Sequence, residues 1–323
     1  MRVTNKVISN VYDSVYSTAL RQPNRTCKWT EIEPSFTRCG HQPDKRFTRH
    51  PDTMPELPEV EAALKSLRRH VTGRTIARVR ALHPSMQRTL TPARARALKG
   101  AQILRVERRG KHQLVHLADG RLLHAHFRMN GEWMHGRITD EDPRWARAVF
   151  EFTDDTRLVF VDSRALGTIE LHAAGAHPDL ALGPDASDPA WTAGQLGEAL
   201  SKRRGPIKPA LLNQGLVAGL GNIYAAEALW RARIDPRTVS RLLTVAQVKA
   251  LRKAIAVVLD RATGARYTDD STVHLDVYDR EGLACRRCTT PIERMVQAGR
   301  STYFCPRCQL PAAASPLPRA ARP

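Results

Sequence analysis

The sequence predicts an α+β protein: a strand-rich first half, a helical second half and a small cysteine module. Three observations carry this reading. Between Thr75 and His172, seven short apolar segments are separated by tight-turn residues such as Ala118-Asp119-Gly120 and Asp154-Asp155, the pattern of a β-sandwich or barrel. From Thr192 to Ala262 the apolar residues recur at helical spacing. Near the end, Cys285-x-x-Cys288 is followed by sixteen residues and then by Cys305-x-x-Cys308.

Order begins at Met54. Leu57, Val60, Leu64, Leu67 and Val71 step by three and four, the stripe of an amphipathic helix, and Gly73 stands where a C-cap glycine belongs. The expected strands are Thr75–Leu82, Gln102–Glu107, Gln113–Leu117, Leu122–Phe127, Ala148–Phe152, Arg157–Val161 and Gly167–His172. A Pro-, Ala-, Gly- and Asp-rich stretch over 179–191 reads as a linker. The expected helices are Thr192–Leu200, Lys208–Gln214, Asn222–Arg233 and Val245–Ala262, followed by a polar loop, Gly264–Ser271. The domain limits are therefore 54–178, 192–271 and, for the cysteine module, 272–309. Residues 310–323 are a Pro/Ala-rich tail with nothing to bury. Residues 1–53 hold scattered polar residues, isolated Cys27 and Cys39 and no sustained period. They read as a disordered extension or as a segment absent from the natural product; Asp13, Glu31, Glu33 and Asp44 argue against a transit peptide.

Length and charge bound the function. The 323 residues suffice for one large or two medium domains. Lys plus Arg number 51 against 32 acidic residues, a net charge of +19, which suits a polyanionic partner or, more plainly, a basic protein of an Arg-rich proteome. No apolar run reaches the roughly 18 residues of a membrane span, and the start lacks a secretory apolar region. Six cysteines in so long a chain point to metal binding in a reducing compartment rather than to a disulfide scaffold. The expectation is a cytoplasmic or DNA-associated protein.

The cysteine spacing is specific. Each C-x-x-C pair turns two thiolates toward one ion, and Cys285, Cys288, Cys305 and Cys308 complete a tetrahedral set with no open position: one structural Zn2+. Ile292–Val296 and Ser301–Phe304 form the intervening hairpin, with Arg300 at its turn. Gly215-Leu-Val-Ala-Gly-Leu-Gly-Asn-Ile-Tyr224 places backbone N–H groups and the Asn222 amide toward an anion at a helix start. No strand precedes it and a third glycine is missing, so it is no dinucleotide loop. It is a phosphate-binding hairpin or an ordinary glycine-bearing turn. Met54-Pro-Glu-Leu-Pro-Glu-Val-Glu61 reads blandly as a helix start with early acids. If translation starts at Met54 and that residue is removed, Pro55 becomes an N-terminal secondary amine. Its pKa near 8 leaves a useful nucleophilic fraction, and neighbouring Glu56 supplies proton transfer.

Pro55–Glu61, Arg108-Arg-Gly-Lys111, Gly219-Leu-Gly-Asn-Ile-Tyr224 and the cysteine module occur in that order. Together they resemble the Fpg/Nei family, and within it the formamidopyrimidine branch, over about Met54 to Gln309. The resemblance implies an N-terminal β-sandwich with flanking helices, a helix–two-turn–helix domain and a zinc finger, with double-stranded DNA carrying an oxidised base or abasic site in the cleft between them. It implies a bifunctional glycosylase and AP lyase of base-excision repair. Pro55 attacks C1′ and forms a Schiff base, Glu56 protonates the sugar oxygen or shuttles protons, and β,δ-elimination follows. Lys111, Asn222 and Arg300 grip phosphates. Met129 fills the space of the extruded base, and Arg164 and Leu166 face the orphaned partner. Read blandly, Met129 is core, Lys111 belongs to a solvated basic patch, and Glu59 and Glu61 support the helix dipole.

Two features depart from the family. A chain that keeps residues 1–53 leaves Pro55 with an amide nitrogen. The loop Gly264–Ser271 is short, and Leu166 stands where the guanine-specific branch carries an aromatic. Oxidised purines (8-oxoguanine, formamidopyrimidines) are the expected substrates. Three rival readings are an endonuclease VIII-like enzyme for oxidised pyrimidines, a non-catalytic DNA-binding protein if the extension stays, and a zinc-ribbon RNA-binding protein, which leaves Pro55–Glu61 and Lys111 unexplained.

Overall fold

The computed structural model describes residues 54–264 and 274–310. The expectations placed on 1–53, on most of the Gly264–Ser271 loop and on the tail lie outside the described residues.

Helix α1 (Leu57–Val71) opens the fold. The Glu59 carboxylate accepts the Glu56 backbone N–H at 2.6 Å and closes the first turn. All five stripe residues are at most 1% exposed, each burial stabilising by about 1.5–3 kcal/mol. Leu57 packs in a different core from Val60, Leu64, Leu67 and Val71. Gly73 follows at φ +82 and donates its N–H to the Ile103 carbonyl.

Next come β1 (Ile76–Ala81), α2 (Pro84–Thr89), α3 (Pro92–Ala97), β2 (Ile103–Arg109), β3 (His112–Leu117), β4 (Leu122–His126), β5 (Glu132–Arg137), β6 (Ala146–Phe152), β7 (Thr156–Val161) and β8 (Thr168–His172). They form two four-stranded sheets, ordered β1-β6-β7-β5 and β2-β3-β4-β8, in which every pairing is antiparallel. The sheets face each other across Ile76, Val106, Val115, Leu123, Phe127, Phe150 and Phe160, so the sandwich is the closed solution. Buried Gln113 on β3 accepts the Trp133 indole N–H from β5 at 2.6 Å and ties the two sheets. The sequence reading missed β5, whose Glu132-Trp-Met-His-Gly-Arg137 has no apolar alternation. It also missed α2 and α3, six-residue helices that each start with proline after a side-chain cap, His83 and Thr91.

The connecting stretch is packed rather than loose: Ala186 and Trp191 are buried in the second core. That core belongs to α4 (Ala193–Ser201), α5 (Ile207–Leu212), α6 (Asn222–Ala232) and α7 (Val245–Gly264). Thr192 with Gln195, and Thr244 with Gln247, form reciprocal caps at the starts of α4 and α7. Between α5 and α6 the chain makes two turns over 213–221, with Leu216 N–H bonded to the Asn213 carbonyl. Buried Glu227 on α6 accepts the N–H groups of Asp276, Val277 and Tyr278 and anchors the segment that leads into the cysteine module.

The module's hairpin is β9 (Glu293–Gln297) and β10 (Arg300–Phe304). Its two turn residues are Ala298 and Gly299, at φ +48 and +72, as a two-residue hairpin requires. Arg300 is therefore not at the turn, as the sequence suggested, but is the first residue of β10, opposite Gln297. No helix among the described residues is long and apolar enough to cross a membrane.

Candidate active site

The N-terminus of α1, the β2–β3 turn, the loop after β4, the turns between α5 and α6, and the hairpin converge on a cleft of about 210 Å³. Met54, Glu56, Lys111, Met129, Gln214, Asn222, Tyr278 and Arg300 are among its walls. Pro55 is buried between Met54 and Glu56. Of the residues singled out from sequence, Arg164 and Leu166 stand apart. They lie on an exposed loop whose N–H groups are gathered by the buried Asp162 carboxylate, at 3.0 Å from Arg164 and 2.8 Å from Leu166.

Glu56 is the centre of the cleft's electrostatics. One carboxylate oxygen accepts Ile223 N–H at 2.7 Å, and the other accepts Gly221 N–H at 2.8 Å and Tyr224 N–H at 3.3 Å. The backbone N–H groups at the start of α6 thus cradle the chain's own Glu56 carboxyl, while the Asn222 side chain takes no part: it accepts from Lys208 at 2.6 Å and donates to the Ser301 carbonyl at 3.0 Å. A Cβ on Gly221 would stand 2.3 Å from Glu56 Cδ, and one on Gly219, at φ +94, 2.5 Å from Leu57 Cδ1. Both glycines are there so that α1 can dock. Burial pushes the Glu56 carboxyl up to about 7, further raised by Glu59 and opposed by Lys111 and the Ile223 and Tyr224 N–H groups.

Lys111 follows Gly110, which takes φ +58 at the β2–β3 turn. Burial lowers the Lys111 ammonium, against the pull of Glu56 and Glu59. Arg108 holds this turn: it donates to the Gly110 carbonyl at 2.8 Å and pairs with Glu61 at 2.8 Å and Asp185 at 2.7 Å. Arg108 and Glu61 are thus a clamp rather than a solvated patch or dipole support. Met129 is half-buried after Arg128, whose N–H donates to His126 Nδ1 at 2.9 Å.

Three site residues escaped the sequence reading. Lys208, fully buried on α5, donates to Asn222 Oδ1, the Ser301 carbonyl and Thr302 Oγ1 at 2.6, 2.8 and 2.7 Å. Burial drops it to about 7. Tyr224 donates its hydroxyl to Glu59 at 2.6 Å. Tyr278 lines the cleft. The available signal was a lysine inside the apolar run Ile207-Lys-Pro-Ala-Leu-Leu212.

Comparison with known proteins decides the family. Family models match in order and without overlap: the formamidopyrimidine-DNA glycosylase N-terminal domain over 54–169, its H2TH domain over 182–272, and a zinc finger found in FPG and IleRS over 282–310. The chain belongs to the formamidopyrimidine-DNA glycosylase family. The enzyme of that name from Paracoccus denitrificans is 40% identical over 280 residues, which is 79% of this chain and 100% of its own length. That from Symbiobacterium thermophilum is 43% identical over 84% of this chain and 94% of its own. The crystal structure of the Lactococcus lactis glycosylase, bound non-covalently to DNA with an AP site, superposes with a TM-score of 0.74 at 32% identity, covering 79% of this chain and 99% of that one. A MutM complex with DNA containing carbocyclic 8-oxo-G gives 0.74 at 31% identity, covering 79% and 100%.

The family's zinc finger fits the cysteines as they stand. Cys285, Cys288, Cys305 and Cys308 bring their sulfurs within 4.8 Å of one another. The Cys288 sulfur lies 3.5 Å from that of Cys305 and 3.4 Å from that of Cys308, close to the roughly 3.8 Å edge of a tetrahedron with 2.3 Å Zn–S bonds. The Trp230 indole N–H donates to Cys285 Sγ at 3.4 Å, and the N–H groups of Arg287 and Cys308 point at sulfurs, all favouring thiolate. These four residues hold one structural zinc. Because the finger's core is small, Trp230, Val277, Ile292 and Tyr303 around the cysteines, stripping the metal is expected to unfold it. Chelation should lower DNA affinity at least tenfold in a filter-binding assay while the sandwich strands keep their circular dichroism.

Proposed function

We propose that the chain is a bifunctional DNA glycosylase and AP lyase of base-excision repair that removes oxidised purines, 8-oxoguanine and formamidopyrimidines, from duplex DNA. One observation carries the reading: a carboxyl poised near pH 7 lies beside Pro55, at the head of a cleft walled by Lys111, Asn222 and Arg300. The names of the relatives and the DNA held by the structural neighbours support the substrate class. A DNA-associated place in the cytoplasm and a monomeric state fit the same reading.

The chemistry uses Pro55 as a secondary amine, so it belongs to a form of the chain in which that nitrogen is free. The lesion leaves the stack at a cost of a few kcal/mol, and Met129 takes its space while Arg164 and Leu166 meet the orphaned base. The Pro55 nitrogen bonds to C1′ as the glycosidic bond breaks, and the amine's proton leaves with the departing base. Protonated Glu56 gives its proton to the ring oxygen, and the opened sugar is left as an iminium. Loss of a C2′ proton then expels the 3′ phosphate, and the second elimination expels the 5′ phosphate. Lys111, Asn222 and Arg300 hold the flanking phosphates. Gly221→Ala, by pushing the Glu56 carboxyl aside, is expected to slow single-turnover excision about 10²-fold.

The lesion class is tested with matched duplexes carrying 8-oxoguanine, formamidopyrimidine or thymine glycol. Purine lesions should be excised at least tenfold faster. A preference for thymine glycol would move the chain to the enzymes of oxidised pyrimidines, a second reading that rests on Leu166, exposed and non-aromatic. Binding that weakens steeply with salt, without nicking of any substrate, would leave a DNA-binding protein.

A further inference from the structure

The outer face of the second sheet gathers imidazoles that the excision chemistry does not use. In the β4–β8 ladder His124 stands opposite Glu170, and His172 lies two residues further along β8. In the β3–β4 ladder His112 stands opposite His126. Side chains alternate along a strand, so these residues share one face while Val115, Leu123, Ala125 and Ile169 fill the core on the other.

Within this group one ligand atom each from His124, His172 and Glu170 lies within 4.8 Å of the others, and the nitrogens nearest the Glu170 carboxylate are His124 Nδ1 and His172 Nε2. Both ring nitrogens are buried and have no hydrogen-bond partner among the described residues. The Glu170 oxygen is 4.0 Å from the first and 3.8 Å from the second, beyond hydrogen-bond reach. Two buried nitrogens aimed at one carboxylate without bonding it leave room for a cation between them. The far side of His124 is also arranged: its Nε2 lies 2.7 Å from His112 Nδ1. When Nε2–H donates to His112, Nδ1 presents its lone pair toward Glu170, the outer-shell arrangement of a metal-ligating histidine.

We propose that His124, His172 and Glu170 form a second metal site, distinct from the zinc finger, for a divalent transition ion of the Zn²⁺, Co²⁺ or Ni²⁺ type. Two imidazoles and a carboxylate are the ligands such ions take. Ligand bonds of about 2.0–2.2 Å require the three atoms to close in, and the Glu170 side chain, 39% exposed, is free to swing while the histidines stay packed. Its solvent side leaves positions for water. The ion would fix the ring of His124 and, through it, His112, the residue next to Lys111.

The test is a Co²⁺ titration of the full chain with its finger already loaded with zinc, read by equilibrium dialysis and visible absorption. One added equivalent is expected, without the thiolate charge-transfer band that cysteine ligands produce. His172→Ala should lose that equivalent and keep one zinc per chain and, in the form that begins at Pro55, the parent nicking rate. Glu170→Gln should bind at least tenfold more weakly, and His112→Phe about tenfold more weakly. Equal cobalt binding by the parent and His172→Ala, or a thiolate band accompanying the added cobalt, would overturn the proposal.

Discussion

A form of the chain that begins at Pro55 is expected to give a covalent adduct with abasic-site DNA in the presence of borohydride, and the 323-residue chain with Met54 still attached is expected to give none. The difference lies in one lone pair. In a peptide bond the proline nitrogen is delocalised into the carbonyl and cannot add to C1′. Freed, it is an α-amine with a pKa near 8, partly unprotonated at neutral pH. The burial of Pro55 next to Glu56 adds proximity to an acid. The adduct should fall to background when the nitrogen is acylated, and excision of 8-oxoguanine should fall with it. A chain beginning with glycine at position 55 should still trap, more slowly. An equal adduct from the long chain would relocate the nucleophile. Lys111 and Lys208, both lowered by burial, are then the amines to replace.

Glu56→Gln is expected to lower single-turnover excision by about 10²–10⁴, the range for losing a positioned acid–base group. The amide retains an oxygen for the Ile223 N–H but presents an NH₂ group to donors. The pH dependence separates chemistry from folding. With the Glu56 carboxyl at about 7 rather than 4.5, its acid form supports the sugar-protonating step below about pH 7 and fades above it. The parent's excision rate should therefore fall along an alkaline limb that Glu56→Gln lacks. The folded-state pKa lies above the unfolded value, so the folded chain holds the extra proton between them. The stability contributed by this group is full below about pH 4.5 and is lost as pH rises through about 7. The variant's unfolding midpoint should show a shallower dependence across that window. Parallel pH profiles for parent and variant would remove Glu56 from proton transfer.

The parts of this architecture that were readable in sequence are those fixed by local rules. The stripe of α1, the helical spacing over α4 and α7 and the paired cysteines each follow from spacing a few residues long. Where the rule is non-local, sequence reading failed. Strand β5 is half-buried without alternation, because it pairs β7 on one edge and turns Trp133 inward to Gln113. Lys208 looks like an error in an apolar run until the hairpin carbonyl of Ser301, 93 residues away, is brought to its ammonium. The glycines before Asn222 read as an anion cradle or an ordinary turn, and only the fold shows that the Gly221 N–H meets the carboxyl of Glu56, 165 residues earlier. The candidate site was thus legible as a set of residue types, while the wiring among them was not.

The docking of α1 has one more consequence. Leu57 is embedded in the helical core while Val60, Leu64, Leu67 and Val71 belong to the sandwich, and Glu56 is bolted to the first turn of α6. The residues that would carry the reaction are therefore also the pin of the joint between the two lobes. A molecule trimmed a few residues too far would lose its grip between lobes together with its nucleophile. Faulty processing at this end should thus yield loose, readily proteolysed chains rather than well-folded inert ones that linger on damaged DNA and shield it from repair.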